Sequence, residues 1–329
     1  MPLGNRIDPM VKKAQTLATP TAEPKAVQND TKLKNNVSDV EFSLFQAEEP
    51  KYSFDDIILN ESTYDAVQDV LAMYEKREVL FNQWGLSETH KQQNRAGINL
   101  YGSAGTGKSM TAHAIAKQLG RRILTVDYSQ IESKYVGETS KNLAAMFNYA
   151  KESKSIIFFD EADALLSKRV TDMSNSTDVS VNQTRSVLLV LINDFDDMIL
   201  FATNFITNYD PAFMRRILAH IKFELPNEEN RSKLWNICIP KILPTNADIK
   251  ELSARFSDIS GADISNAVLT ASLRAARLNE DIVQHSYFEE AIERIIKSKA
   301  ENNNSGSLIS KRTVSEDYVK SQFGGELPK

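Results

Sequence analysis

Apolar residues recur along this chain in two rhythms, and the change from one to the other marks out its architecture. Between residues 62 and 81 they fall at helical spacing, with Val67, Val70, Leu71 and Tyr74 on one face. Residues 98–101 then form a short apolar run that ends in a glycine-rich turn. Three more compact runs follow at residues 123–126, 156–159 and 199–202, of the kind buried on both faces of a parallel sheet. Helical spacing returns between them, at residues 109–119, 140–150 and 183–193. Strand alternating with helix in this way is the rhythm of a doubly wound α/β fold.

After Pro226 the strands cease. Residues 228–237, 249–256, 262–278 and 286–296 read as helices, and in the third Ile264, Ala267, Val268 and Ala271 share one face. The expectation is an α/β domain over residues 52–226 followed by a small all-α domain over residues 227–299. Residues 1–51 are polar, are broken by Pro20 and Pro24, and predict a disordered leader; their one apolar cluster, residues 40–45, is either a docking peptide or, as favoured, the start of packing against the body. Residues 300–329 predict a flexible polar tail.

Composition narrows the class. At 329 residues, 41% hydrophobic and 25% charged, the chain is ordinary globular protein of about two domains, neither fibrous nor wholly disordered. Its single cysteine, Cys238, cannot form an internal bridge or a cysteine-based zinc site, which points to a reducing compartment, read as the cytoplasm. The longest apolar stretch, residues 187–192, is far shorter than the roughly twenty residues of a membrane span. A formal charge of −5 gives no overall attraction to nucleic acid.

The chemistry begins after the first strand. Gly102-Ser103-Ala104-Gly105-Thr106-Gly107-Lys108-Ser109 has two glycines four residues apart followed by Lys and Ser, with Met110 continuing into a helical pattern. Strand before and helix after put backbone amides and a helix N-terminus around one anion, the arrangement of a P-loop. Lys108 is expected on the β- and γ-phosphates and the Ser109 hydroxyl on Mg²⁺. The second element, Ile156-Ile157-Phe158-Phe159-Asp160-Glu161, places two carboxylates at the C-terminal end of a buried strand, the edge where open parallel sheets bind ligands. Asp160 is expected to hold the magnesium and Glu161 to polarise the attacking water. Asp163 either supports the site or caps the next helix, and the cap is the favoured expectation. Asn204, at the tip of a further strand, is placed to sense the γ-phosphate, and Arg215 and Arg216 are either solvated surface charge or fingers for a neighbouring subunit's nucleotide.

With these elements in order, residues 53–299 resemble an AAA ATPase of the AAA+ superfamily, in the branch of katanin, spastin, Msp-type and FtsH-type ATPases. The motifs that carry the likeness are Phe54-Asp55-Asp56-Ile57, the P-loop, Lys134-Tyr135-Val136-Gly137-Glu138, the strand ending in Asp160-Glu161, Ala202-Thr203-Asn204, the arginine pair and Ser260-Gly261-Ala262-Asp263. The resemblance implies a P-loop sheet domain under an all-α lid, ATP and Mg²⁺ as ligands, and adenine held between Ile57 and the Gly261-Ala262 pair. It also implies a homo-oligomer, a hexameric ring, with Arg215 and Arg216 acting on the adjoining copy and Lys134, Tyr135 and Val136 gripping a protein substrate or adaptor in the channel. Ile58 and Leu59 depart from the Gly-Gly pair of Cdc-type relatives. The four histidines form no His-Glu-x-x-His pattern, which removes the FtsH-type protease. The expected function is ATP-driven remodelling of a protein; a nucleic-acid motor or loader and an ATP-gated scaffold are the alternatives.

Overall fold

The computed structural model describes residues 45–90, 97–126, 138–166, 176–204 and 209–305. A 3-10 turn (Phe54–Asp56) precedes helix α1 (Glu61–Glu75); a π-helical turn (Val79–Gln83) and one helical turn (Leu86–Thr89) lead on to strand β1 (Gly97–Gly102) and helix α2 (Lys108–Gln118). They are followed by β2 (Ile123–Val126), α3 (Glu138–Glu152), β3 (Ile156–Phe159), a short helix α4 (Asp163–Leu166), α5 (Ser176–Asp194) and β4 (Ile199–Thr203). A short α6 (Pro211–Met214) leads into β5 (Ile217–Phe223).

The five strands form one sheet in the order β2-β3-β4-β1-β5, with every pairing parallel. The two faces of β3 show why its sequence is apolar throughout. Ile157 and Phe159 join a core with Leu143, Met146 and Phe147 of α3 and Leu188 and Ile192 of α5. Ile156 and Phe158 join the opposite core with Val67 and Leu71 of α1 and Ala112 and Ile115 of α2. A strand covered on both sides has no solvent face on which to place polar residues.

Helices α7 (Glu228–Cys238), α8 (Ile249–Arg255), α9 (Gly261–Leu278) and α10 (His285–Ser305) build the lid. Its core is separate, with Trp235 against Phe288 and the expected face of α9, Ile264, Ala267, Val268 and Ala271, turned inward. This is the α/β fold with an all-α lid that the sequence predicts.

Two expected boundaries move, and one strand lies where none was predicted. The body begins before residue 52: Phe45 and Ala47 are buried beside α3, and Glu48 exchanges hydrogen bonds with Ile123 at the open edge of β2. Pairing that edge satisfies backbone groups that an edge strand otherwise leaves exposed. The last helix runs beyond residue 299 to Ser305, because a helix already held by Phe288 and Ile292 extends into polar residues at little cost. Finally, β5 was not expected at all. Its alternation is broken by a register shift opposite Gly97 and Ile98, so Ile217 faces one core and Ile221 and Phe223 face the other.

Among the described residues no helix is long and apolar enough to cross a membrane.

Candidate functional site

The loop between β1 and α2 gathers the chemistry. Gly102 adopts φ +146, and a Cβ there would fall 2.1 Å from the Phe223 carbonyl oxygen, so β5 approaches too closely for any side chain. Lys108, the first residue of α2, folds back over the loop and is 8% exposed. Its Nζ donates to the carbonyls of Gly102 at 2.8 Å and Ser103 at 2.9 Å and to Asn204 Oδ1 at 3.0 Å. Burial pushes the ammonium below its ordinary pKa, while the nearby carboxylates of Asp160 and Asp163 pull it back up.

Ser109 Oγ donates to Asp160 Oδ2 at 3.0 Å, and Asp160 Oδ1 accepts the Glu161 N–H at 3.0 Å. Glu161 follows with φ +51, a left-handed conformation uncommon for a residue with a side chain, and is exposed at the C-terminal edge of the sheet. The P-loop, Asp160, Glu161 and Asn204 therefore meet at one edge, as their order in the sequence predicts.

Asp163 bonds across to β4, as the site-supporting alternative expects. It is the first residue of α4, and its carboxylate reaches across to the tip of β4, where it accepts from Thr203 Oγ1 and from the Asn204 N–H at 3.4 Å. The reason is tertiary: β3 and β4 are paired, so the turn after β3 lies against the end of β4.

Beside the loop is a cavity of about 500 Å³, in the range of pockets that hold small-molecule ligands. Ile57, Gly105 to Met110, Gly261 and Ala262 line it, as the resemblance implies. Leu59, one of the two residues that depart from the Cdc-type pattern, lines it as well, and so do Leu234, Ile237 and Cys238, which the sequence did not place at the site. These three lie on α7, where a helical apolar face carries no sign that one end will meet a ligand. Asn60 fixes the wall by donating to the Leu225 carbonyl at 3.0 Å and accepting from Asn230 Nδ2 at 2.9 Å. Ser260 caps α9 in a capping box with Asp263, which aims the helix N-terminus at the P-loop.

The arginine pair divides. Arg216 is tied within the chain, Nε to Asn193 Oδ1 at 2.9 Å and an Nη to the Ala212 carbonyl at 2.8 Å, whereas Arg215 is exposed. Lys134, Tyr135 and Val136 lie outside the described residues.

Residues 98–225 match the model of the family described as ATPase family associated with various cellular activities (AAA). This match spans the P-loop, the Asp160-Glu161 strand, Asn204 and the arginine pair. The chain belongs to the AAA ATPase family. Among its curated relatives is a 26S proteasome regulatory subunit 4 homolog of Schizosaccharomyces pombe, 32% identical over 79% of this chain and 58% of the relative. The proteasome-activating nucleotidase of Methanopyrus kandleri is 31% identical over 78% of this chain and 59% of the relative. Proteasome-activating nucleotidase 1 of Haloferax volcanii is 31% identical over 82% of this chain and 66% of the relative. This AAA protein thus spans less than two thirds of the length of each. These relatives are named as a proteasome regulatory subunit and proteasome-activating nucleotidases, and the likeness to the katanin and FtsH branches rests on the sequence motifs alone.

The donor set suits the metal that the family implies. A hydroxyl and a carboxylate oxygen 3.0 Å apart are hard ligands, and Mg²⁺ takes one or two such groups, filling its remaining positions with water and phosphate.

Proposed function

We propose that this chain is an ATP hydrolase that works as a homo-oligomeric, hexameric ring and uses turnover to unfold or remodel a protein. The observation that carries the reading is the hydrogen-bonded set Lys108–Asn204 and Ser109–Asp160 beside an exposed Glu161, all next to a cavity that opens on the P-loop.

Lys108 is held in place before any phosphate arrives, and its three acceptors are exchangeable for phosphate oxygens. Ser109 and Asp160 would hold Mg²⁺, which draws charge from the β- and γ-phosphates. Asn204, pinned through its backbone by Asp163, orients the water. Glu161 accepts the water proton as the oxygen attacks the γ-phosphorus; the bond from that phosphorus to the β–γ bridging oxygen breaks, leaving ADP and phosphate. The apolar walls at Ile57, Leu59 and Leu234 suit a purine base. Arg215, exposed at the end of α6, is available to an adjoining copy's nucleotide.

The proteasomal relatives support a polypeptide as the substrate, gripped by Tyr135 with Lys134 and Val136. The cytoplasm remains the expected location.

Phosphate release by the wild-type chain and by Glu161→Gln tests the chemistry. Removing the base is expected to cost about 10²–10⁴ in turnover with ATP affinity unchanged. Equal rates would remove Glu161 from that role. Tyr135→Ala is expected to keep ATPase activity and lose substrate unfolding; ATPase activity stimulated by DNA in a salt-dependent way would favour the nucleic-acid motor instead.

A further inference from the structure

The first turn of the lid helix α9 is tied to the second half of α10 through one carboxylate oxygen. Asp263 is the third residue of α9, and its Oδ2 accepts the Ser260 N–H at 2.7 Å and the Ser260 hydroxyl at 2.8 Å. The same oxygen accepts from Lys299 Nζ, on α10. The Asp263 side chain is 9% exposed. Other carboxylates of α10 that pair with arginines are more open, Glu289 at 20%, Glu290 at 42% and Glu293 at 55%. Open pairs contribute little, whereas a buried carboxylate that loses its counter-charge must take up water or move.

The turn that Asp263 holds is part of the cavity beside the P-loop. Ser260 Oγ accepts the Asp263 N–H at 3.3 Å, which closes the capping box, and a Cβ on Gly105 would come within 2.6 Å of that Oγ. The Ala262 N–H donates to the Gly105 carbonyl at 3.3 Å, and Gly261 and Ala262 line the cavity together with Gly105. Since the Ser260 and Lys299 bonds share Oδ2, a shift of that oxygen toward solvent breaks the Ser260 bonds as well.

We propose that Lys299 is a positioning residue for nucleotide binding: by neutralising Asp263 it keeps the capping box closed and holds Gly261 and Ala262 against Gly105 in the cavity wall. The proposal rests on the ATPase reading. Without the ammonium, Asp263 turns toward water and α9 loses its cap. The wall is then no longer fixed before ATP arrives, and ordering it draws on the binding energy. Lys108, Ser109, Asp160, Glu161 and Asn204 belong to the sheet domain and stay in place, so binding suffers and the chemical step does not.

The test is Lys299→Met, which keeps an unbranched apolar stem and removes the charge. KM for ATP is expected to rise about fivefold with kcat unchanged. Lys299→Arg, which restores a cation, is expected to restore the wild-type KM. In an Asp263→Asn background the cap keeps an acceptor but carries no charge, and there Lys299→Met is expected to cost no further affinity. An equal rise of KM in both backgrounds would show that Lys299 does not act through Asp263 and would overturn the proposal, as would a wild-type KM in Lys299→Met. If Lys299→Met does not fold, Lys299→Gln, which keeps a donor without the charge, carries the same comparison.

Arg274→Met is the control for general loosening of the lid. It breaks the Arg274–Glu290 pair between the same two helices, about three turns further along α9, and is expected to leave KM unchanged. A rise equal to that of Lys299→Met would overturn the proposal. Wild type separates the two levels: hydrolysis there with an unmoved KM in Lys299→Met overturns the positioning role and leaves the ATPase reading standing. No hydrolysis in wild type overturns both.

Discussion

The Gly105 carbonyl accepts the Ala262 N–H at 3.3 Å, so the phosphate loop and the first turn of the lid helix are joined by main chain. Both segments line the cavity beside the P-loop, so a ligand seated there would meet the sheet domain and the lid together.

Gly105 therefore tolerates no side chain. Its φ is +76, and a Cβ would lie 2.6 Å from Ser260 Oγ and 2.7 Å from Ala262 Cβ. Gly105→Ala is expected to cost ~1–3 kcal/mol in a urea titration and to weaken ATP binding by more than about tenfold, because α9 must retreat. Gly120→Ala is the control. Gly120 has φ +62 with nothing within 4 Å of a built Cβ, so it should show the backbone cost and keep its ATP affinity.

The two arginines should separate in their phenotypes. Arg215→Ala is expected to abolish most turnover without changing the thermal midpoint, since the side chain is exposed. Arg216→Ala breaks bonds to Asn193 and the Ala212 carbonyl and is expected to cost about 1 kcal/mol of stability as well. Calorimetry alongside phosphate release checks both, and a stability loss in Arg215→Ala would contradict the assignment.

Cys238 reports on the cavity it lines. Burial pushes its thiol above the ordinary value of 9.0, so at neutral pH little thiolate is present. Alkylation is expected to be slow near pH 7, to rise with pH until the thiol is ionised, and to be suppressed by ATP. Mass spectrometry of the modified peptide, with and without nucleotide, measures this. Alkylation unaffected by ATP would place the base elsewhere.

Acid should weaken the fold through two histidines. Burial lowers the pKa of both His113 and His220 from 6.5, and His113 Nδ1 is 3.4 Å from the Lys51 N–H, which it accepts in its neutral form. Below pH 6.5 the unfolded chain takes up these protons before the folded one does. Stability is therefore expected to fall as pH drops from there toward the lowered folded values. His113→Gln and His220→Gln should each flatten that part of the stability profile; an unchanged slope in both would show that other groups set it.

The meeting of the expected site residues at one edge of the sheet was legible in the sequence. Gly102, Lys108, Ser109, Asp160, Glu161 and Asn204 each sit at the end of a strand or the start of a helix that hydrophobic rhythm locates, so their convergence followed from the parallel fold. The sequence did not carry β5, because residues 217–223 lie half on an edge and their alternation is interrupted by the shift opposite Gly97. For Asp163 it left support of the site and a helix cap both open, since a carboxylate at the head of a helix looks like a cap wherever its partner is remote in the chain.

What the sequence alone determined is local: periodicity fixes which segments are strand or helix, and the spacing of glycines, lysine and carboxylates fixes the chemistry at their ends. Tertiary structure alone decided which distant side chains meet. It brought Tyr209 to Asn99 across 110 positions, set Cys238 and Leu234 in the wall of the cavity beside the P-loop, and tied down Arg216 while leaving Arg215 exposed. Such pairings depend on strand order and register, which local propensity does not encode, and burial then gives each of them its energetic weight.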